Sequence, residues 1–272
     1  VMLAGPQLNL YRAPTDNDRG GWNGPIANKW HDAGLHRLMH ATREVNMAQL
    51  DADTTRLVVQ SRVAPPVHNG KGFDTIYTYT VLGEGFVHLD VALTPTGDWP
   101  DQLPRVGVMQ MLPGSLDRVE WMGRGPQESY SDTRQAALPG RYCAGSVDDL
   151  MTPYLRPQEN GNRSDCAYVA LRDRAGAGLL VIAEPRIDFS AHHYTAHDLA
   201  AAKHPHELVR RPEVVLNLDH AQNGIGTASC GPAVLEAYKL RPQAYRFSIW
   251  FAGLRPGEDA LVRSRQLPAL PA

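Results

Sequence analysis

The chain has 272 residues, of which 43% are hydrophobic and 21% are charged, a composition ordinary for a globular protein. Its 27 Lys and Arg against 29 Asp and Glu leave a formal charge of −2, which argues against a nucleic acid partner because phosphate binding needs an excess of basic side chains. No apolar stretch reaches the roughly 18 residues of a membrane span and no signal-like start is present, so we expect no membrane partner either.

The three cysteines are widely spaced, at Cys143, Cys166 and Cys230. An odd number without paired spacing predicts neither a disulfide framework nor a cysteine-based zinc site. Reduced thiols favour a cytoplasmic protein, and we expect no metal or cofactor in this chain.

Short strand-like runs recur along the chain, and convincing helices are nearly absent. The clearest pair is residues 73–81 and 86–93, joined by a Gly-containing turn, and in the second run Val87, Leu89, Val91 and Leu93 alternate. The other predicted strands are residues 55–63, 106–112, 119–122, 166–171, 179–183, 186–190, 214–218, 233–240 and 245–252. Short helices are predicted at residues 26–34 and 196–203.

Many short strands joined by connections rich in Gly and Pro predict an all-β fold, a sandwich of two large and mostly antiparallel sheets. Without repeats or a low-complexity linker, we expect one domain over residues 1–272. The sequence from Val1 runs into the first polar motif with no strand in front of it, which suggests that the start is truncated relative to a longer protein.

The first motif, residues 12–21, carries Asp16, Asn17 and Asp18 ahead of a Gly pair and Trp22. Amide and carboxylate groups bind sugar hydroxyls and an aromatic ring stacks on a pyranose, so this motif suits a carbohydrate site. Two alternatives are a turn whose acidic side chains bond their own backbone and a calcium loop, although the Glu at EF-hand spacing is missing.

Three more polar motifs follow. The second, residues 121–132, has Glu128 after a Gly-Pro turn, and the third, residues 152–165, crowds Glu159 with amides and an arginine; the fourth is Gly224-Ile-Gly226. Glu128 is best interpreted as a hydrogen-bonding brace. The alternative, that Glu128 and Glu159 form a glycosidase acid/base pair, needs carboxyl groups about 5–9.5 Å apart, which a sequence does not reveal.

Histidines gather at residues 192–197 and 204–206. On a helix His193 and His197 would have a spacing that zinc sites use, but the His-Glu-x-x-His pattern is absent. We therefore expect these histidines to be hydrogen-bonding residues.

Taken in order, the four motifs resemble those of the C-terminal, small-chain domain of bacterial β-galactosidases of glycoside hydrolase family 2, over nearly all of the chain. The resemblance implies a β-supersandwich of the galactose-mutarotase-like type. It also implies that a separate barrel domain holds both catalytic Glu residues of a retaining mechanism, and the Mg and Na ions that this family often uses. The sequence shows no alternation of strands and helices typical of that barrel, so we expect no catalytic residue in this chain and no activity from it alone.

By the same resemblance, this domain covers the mouth of the active site and binds a β-galactoside together with the barrel domain; a homo-oligomer remains open. The substrate-binding residues that it implies are Asn17, Asp18, Gly20, Gly21, Trp22, Ser229 and Cys230. Cys230 stands where the family has a tryptophan that stacks on the second sugar, and its loop is shorter. Trp22 is the candidate for the missing ring.

Two rival functions remain at this point. One is a free-standing aldose epimerase of the mutarotase fold, with the neighbourhoods of His193 and Glu159 as its candidate acid/base groups. The other is an independent carbohydrate-binding module.

Overall fold

The computed structural model describes residues 2–20, 24–67, 70–227 and 233–271. Of the predicted site residues, Gly21, Trp22, Ser229 and Cys230 lie outside these ranges. Of the three cysteines, Cys143 and Cys166 are free thiols in the described ranges.

The described residues form an all-β fold with few helices, which confirms the predicted class. The strands are β1 Ala4–Asn9, β2 Met39–Gln49, β3 Thr54–Ala64, β4 Gly72–Leu82, β5 Phe86–Thr96, β6 Arg105–Pro113, β7 Arg118–Gly125, β8 Leu138–Ala144, β9 Arg163–Arg172, β10 Gly178–His192, β11 Glu213–Gln222 and β12 Tyr245–Leu254. The α-helices are α1 Asp16–Arg19, α2 Ile26–Asp32, α3 Ala196–Ala201 and α4 Ala260–Ser264. No helix within the described ranges has both the length and the apolar character needed to cross a membrane.

All strand pairs are antiparallel, and one path runs through the order β1-β6-β11-β10-β12-β5-β4-β3-β2. A side branch leaves β10 through β9 to β7 and β8. The long strand β10 connects the two halves: its first half pairs with β12, and its second half pairs with β11. The sheet therefore folds over itself as the predicted supersandwich.

The main core lies between the two layers. Alternating residues of β5, β11 and β12, such as Leu89, Leu216 and Ile249, are completely buried there. A second, smaller core that includes Trp250 and Leu254 packs with Ala260 of α4, so the central strands are covered on both faces. This double cover explains why β12 has a continuous apolar run rather than a strict alternation.

One hydrogen bond joins the edge of one layer to the interior of the other. The buried Leu8 amide of β1 donates to the Tyr77 hydroxyl of β4 over 2.9 Å. Burial raises the pKa of Tyr77 to about 12, so the phenol stays protonated over the physiological range. Strand β1 is therefore seated directly on β4.

Three of the observed strands, β1, β2 and β8, are not predicted by the sequence patterns. The expectation that no strand precedes the first motif is wrong, because β1 ends three residues before Arg12. Gly5 and Pro6 argue against a strand in the sequence. In the structure they lie at an edge where the β1–β6 register shifts, a place where proline is tolerated. Strands β2 and β8 are mostly exposed edge strands and so lack the alternation by which strands are recognised.

The prediction of a strand at residues 233–240 is wrong. This segment contains a 3-10 turn, Glu236–Tyr238, and its carbonyl groups bond to loops: Tyr238 accepts from Gly224, and Leu240 accepts from Leu103. Its backbone groups are satisfied without a neighbouring strand.

The strands predicted at residues 179–183 and 186–190 are one strand, β10. Pro185 suggests a break, but it lies where the β9–β10 register shifts between Ile182 and Ile187, so no regular ladder bond is lost. The predicted helices are confirmed as α2 and α3, each slightly shorter than expected.

Replacing Tyr77 with Phe should destabilise the fold by about 1–2 kcal/mol, because the buried Leu8 amide loses its partner. Urea unfolding followed by circular dichroism measures the change. Tyr142→Phe is the matched control, since its hydroxyl bonds the Leu138 carbonyl at an exposed position, and it should cost only a few tenths of a kcal/mol. Equal stability of the two variants would contradict the proposed seating of β1.

Candidate functional site

The first motif folds into the short helix α1, which closes with a capping box. The Thr15 hydroxyl accepts from the Asp18 amide over 3.1 Å, and Asp18 Oδ2 accepts from the Thr15 amide over 2.9 Å. In this pattern two otherwise unpaired amides at a helix start are each satisfied by the other residue's side chain. The sequence left open that this motif is a turn whose acidic side chains bond their own backbone, and Asp18 makes such a bond.

Arg12 is the charged centre of the first motif, and it is fully buried. Its guanidinium donates to both Asp18 carboxylate oxygens, over 3.1 and 2.8 Å, and to the carbonyl oxygens of Asn223 and Gly224, over 2.7 and 3.1 Å. The Trp30 ring of α2 lies 5.3 Å from the guanidinium carbon. A buried charge must be paired and hydrogen-bonded to be tolerated, and Arg12 meets this condition by linking the first motif to the fourth.

Asn17 makes a second link between these two motifs. Its side-chain nitrogen donates to the Ile225 and Gly226 carbonyl oxygens over 2.9 and 3.4 Å, while the side chain itself remains exposed. The polar residue predicted to face a ligand therefore sits at the surface where the first and fourth motifs meet.

Asp132, the last residue of the second motif, holds the fourth motif from another side. Its carboxylate accepts from the Ile225 and Gly226 amides over 3.1 and 2.9 Å. A Cβ atom at Gly224 would lie 2.5 Å from Asp132 Oδ2 and would displace this hydrogen-bonded carboxylate, and Gly226 has a positive φ of 93°, which favours glycine. Both glycines of the fourth motif thus have a structural requirement.

The third motif is attached to the first through Gln158. Its amide oxygen accepts from the Asp16 backbone amide over 2.9 Å, and its amide nitrogen donates to the Asp16 carboxylate over 3.1 Å. In addition, the Glu159 amide donates to the Ala13 carbonyl over 3.0 Å.

The third motif is attached to the second through Glu128, which accepts from the Tyr154 hydroxyl and, over 2.7 Å, from the Gly161 amide. Ser129 and Asn162 add a reciprocal pair: the Ser129 amide donates to the Asn162 carbonyl over 2.8 Å, and the Asn162 side chain returns a bond to the Ser129 carbonyl over 2.7 Å. These are the contacts of the brace that the sequence predicts for Glu128.

Together the four motifs, which span most of the chain in sequence, form one hydrogen-bonded unit that we call the motif cluster: residues 12–18, 128–132, 154–162 and 223–226. Every motif contacts at least two others. The cluster lies beside the end of β11, which leads into the fourth motif, and beside the start of β9, which follows the third.

Beneath the cluster lies a buried charge network. Arg105 Nη2 is 2.8 Å from Asp219 Oδ2 and 3.5 Å from Glu159 Oε1, and all three side chains are at most 5% exposed. Gln222 joins this network to the third motif by donating to Asp219 over 3.0 Å and to Asn162 over 2.9 Å. Burial raises the pKa of Asp219 to about 6, although Arg105 opposes the shift. The Glu159 carboxylate is therefore buried beside the Arg105 guanidinium.

The histidines predicted to be hydrogen-bonding residues have such roles. His192 is buried and its Nε2 lies 2.9 Å from the Asn160 carbonyl of the third motif. His193 Nδ1 lies 2.8 Å from the Glu213 carbonyl, with its side chain fully buried, and His197 Nε2 contacts the His36 carbonyl over 2.5 Å. The rival interpretation of His193 as an epimerase residue finds no support, because this side chain is enclosed.

One group of possible metal ligands converges among the described residues. His204, His206 and Glu207 bring one ligand atom each within 4.8 Å of one another, and all three are exposed. His204 Nδ1 is hydrogen-bonded to Glu207 over 2.8 Å.

The structure thus places three of the predicted substrate-binding residues. Asn17 is exposed, Gly20 is half-buried next to it at the end of α1, and Asp18 is 3% exposed with its carboxylate engaged by Arg12 and Thr15. Contact of these residues with a sugar stays a prediction. For Asp18 the observed contacts indicate that it positions the loop.

Sequence reasoning overlooks Arg12, Asp132 and Gln158 as the residues that hold the cluster together. A signal is present for Arg12: a lone basic residue precedes an acidic run, and a buried acidic side chain requires such a partner. No sequence pattern points to Asp132 or Gln158, since their partners lie far along the chain: backbone amides for Asp132, and the backbone and side chain of Asp16 for Gln158.

A large open groove of about 930 Å³ lies elsewhere on the molecule. It is lined by residues at the start of β7 and in the β6–β7, β8–β9, β9–β10 and β10–β11 connections, among them Asp117, Arg118, Arg174 and Arg210. None of its lining residues belongs to the motif cluster.

This geometry defines the class of protein: an all-β supersandwich in which four polar loops meet at one site. The particular family follows from comparison: residues 1–251 match the family described as the β-galactosidase small chain, and the chain belongs to this family.

Curated relatives agree. The β-galactosidase of Arthrobacter sp. (strain B7) is 36% identical over 265 residues, covering 89% of this chain and 25% of that protein. The β-galactosidase of Kluyveromyces lactis is 32% identical, covering 89% and 23%, and that of Vibrio cholerae is 37% identical, covering 80% and 21%. The chain therefore spans about a quarter of the length of the relatives it matches.

Solved structures with a similar chain path include a GalM/aldose epimerase homologue from C. elegans, with a TM-score of 0.38 and 14% identity, covering 78% of this chain and 69% of that one. A galactose 1-epimerase from Lactobacillus acidophilus has a TM-score of 0.34 and 11% identity, covering 78% and 67%.

The stability of the chain should fall as the pH falls from about 7.5 to about 5.5, in part through His192. Burial lowers the pKa of this imidazole, so it stays neutral in the folded state where the unfolded chain, with a pKa of about 6.5, takes up a proton. His192→Gln should therefore lose less unfolding free energy over this pH interval than the parent chain.

Chemical unfolding at the two pH values measures the difference. The control is His206→Gln, an exposed histidine, which should keep the pH dependence of the parent. An unchanged pH dependence in His192→Gln would show that His192 is not held neutral by burial.

Proposed function

We propose that this chain is the non-catalytic C-terminal domain of a retaining β-galactosidase, and that its motif cluster completes the active-site wall around a terminal β-galactoside. The observation that carries the proposal is the convergence of four distant polar motifs into one unit in a member of the β-galactosidase small-chain family.

The chemical contribution of the chain is to position polar groups. Asn17 is exposed, and its side-chain nitrogen orients the Ile225 and Gly226 carbonyl groups. Amide groups and carbonyl oxygens of this kind bind sugar hydroxyls, and their preorganisation reduces the entropy that substrate binding costs. The buried Arg12–Asp18 pair keeps these loops in place from below.

The carboxylates of the hydrolytic step belong, in this proposal, to the barrel domain of the complete enzyme. Glu128 supports this division because it is bonded to Tyr154 and Gly161, and Glu159 supports it because it is buried beside Arg105. A glycosidase acid or nucleophile must be free to reach the glycosidic bond. The barrel domain is then the necessary partner.

The purified chain alone should show no turnover of nitrophenyl β-galactoside, because the reacting carboxylates lie in the barrel domain. The assay compares the chain with the complete enzyme at equal molar concentration. Turnover by the chain that disappears in Glu128→Gln or Glu159→Gln would contradict the proposal.

In the complete enzyme, Asn17→Ala should lower kcat/KM for a β-galactoside by roughly two- to tenfold. A hydrogen-bonding side chain that orients a binding loop contributes about 0.5–1.5 kcal/mol, and about 1.4 kcal/mol is a factor of ten. Steady-state kinetics on lactose and on a nitrophenyl galactoside measure the effect.

The matched control is Gln266→Ala, which removes an exposed amide side chain near α4 whose oxygen accepts from Arg263 over 3.3 Å. It should leave both kinetic constants unchanged. Equal kinetics for Asn17→Ala and the parent enzyme would contradict the proposal that the motif cluster forms part of the active-site wall.

A further inference from the structure

Strands β2 and β3 extend beyond the layer that covers the rest of their sheet. Strand β1 sits on β4, as the bond from the Leu8 amide to the Tyr77 hydroxyl shows, and within the described ranges it pairs only with β6. Near Tyr77 the opposing layer therefore ends above β4, while β3 and β2 follow β4 further out in the same sheet. The far end of β3 is still covered, because Val63 is completely buried in the main core. We call this outer part of the sheet, β2 and β3, the overhang.

Two rows of apolar side chains cross from the core onto the overhang. In the first row, directly paired residues are Val91, Tyr77, Val59 and Val45, on β5, β4, β3 and β2 in turn. Directly paired residues point to the same face of a sheet, so Val59 and Val45 continue the core face. Their exposure rises outward: Val91 is 0% exposed, Tyr77 5% and Val45 56%.

The second row shows the same trend. Its residues are Leu89, Tyr79, Leu57 and Met47, again paired directly from β5 to β2. Leu89 is completely buried, Tyr79 and Leu57 are half-buried, and Met47 is 76% exposed. A core-facing row that ends in exposed Val and Met is typical of a surface that is covered in the complete protein.

The second half of the outer edge of the overhang, residues 45–49, is also unprotected, whereas the first half has two charged residues, Arg43 and Glu44, and a register shift beside them. All eleven residues of β2 are exposed, and among the described strands β2 pairs only with β3. It contains no proline and no lysine between Met39 and Gln49, the residues that commonly protect a free edge. A long, free strand edge with apolar side chains on one face is a template for another strand.

We propose that the free edge of β2 and the apolar face formed by the exposed Val45 and Met47 and the half-buried Leu57 and Val59 bind a β-strand from the remaining part of the β-galactosidase. This inference rests on the proposed function. The occupant follows from two facts: the chain spans only about a quarter of its relatives' length, and the rows are continuous with the core. The added strand carries alternating apolar side chains toward Val45 and Met47.

The test is the thiol reactivity of the Met47→Cys variant in the isolated chain and in the complete enzyme, with the labelled peptide identified by mass spectrometry. Met47 is highly exposed here, so the introduced thiol should react quickly in the isolated chain. In the enzyme its modification should be slower by at least about tenfold, as for a site exposed only in rare openings. Val209→Cys, at a residue that is 80% exposed and outside the overhang, corrects for differences in reagent and preparation.

Hydrogen exchange of the unmodified proteins provides a second measurement that needs no substitution. The amides of β2 should exchange more slowly in the complete enzyme than in the isolated chain. Equal exchange, and equal reactivity of the introduced thiol, in both forms would overturn the proposal. Protection already present in the isolated chain, and lost on dilution, would mean that a second copy is the occupant and would also overturn it.

The activity of the Met47→Cys enzyme separates this inference from the proposed function. An active β-galactosidase whose introduced thiol is fully reactive contradicts only the docking of a strand. A complete protein that protects this thiol but has no β-galactosidase activity contradicts only the proposed function.

Discussion

The burial of the Arg12 guanidinium is the constraint on which the rest of the site depends. A fully enclosed positive charge must be neutralised and hydrogen-bonded, and Arg12 achieves this with Asp18 and the carbonyl groups of Asn223 and Gly224. Breaking such a pair typically costs about 3–5 kcal/mol, because the remaining charge stays buried. The first and fourth motifs are thereby locked together, and Asn17 is held at the surface where they meet.

The sandwich places these motifs within reach of one another. Strand β10 belongs to both layers, and β9 and β11 flank it, so the loop before β9 and the loop after β11 open at the same place. The charge network of Arg105, Asp219 and Glu159 then supports the loops from inside the sheet. The apolar core supplies the stability, while the buried polar groups select one arrangement of the loops.

How far the sequence can be interpreted depends on burial. Strands buried on at least one face, such as β4, β5 and β11, have regular apolar patterns, and their prediction is confirmed. The exposed β2 has no such pattern, and the register shift in β1 accommodates the proline that conceals it. The prediction of Glu128 as a brace is correct because a lone acidic residue after a turn is most often a hydrogen-bond acceptor.

By itself the sequence determined the all-β class, the order of the four motifs and, through them, the family to which the chain belongs. These properties depend on local patterns: alternation along strands, glycine at turns and short polar runs. Only the tertiary structure decided that Asp18 pairs with Arg12 and that Asp132 holds the backbone of Ile225 and Gly226. It also revealed the overhang of β2 and β3. Asp132 and its partners are 93 and 94 residues apart in the chain, and the Arg12–Asp18 pair, although its members are six residues apart, is completed by the distant carbonyl groups of Asn223 and Gly224. Which distant backbone group meets a given side chain is set by how the two layers pack.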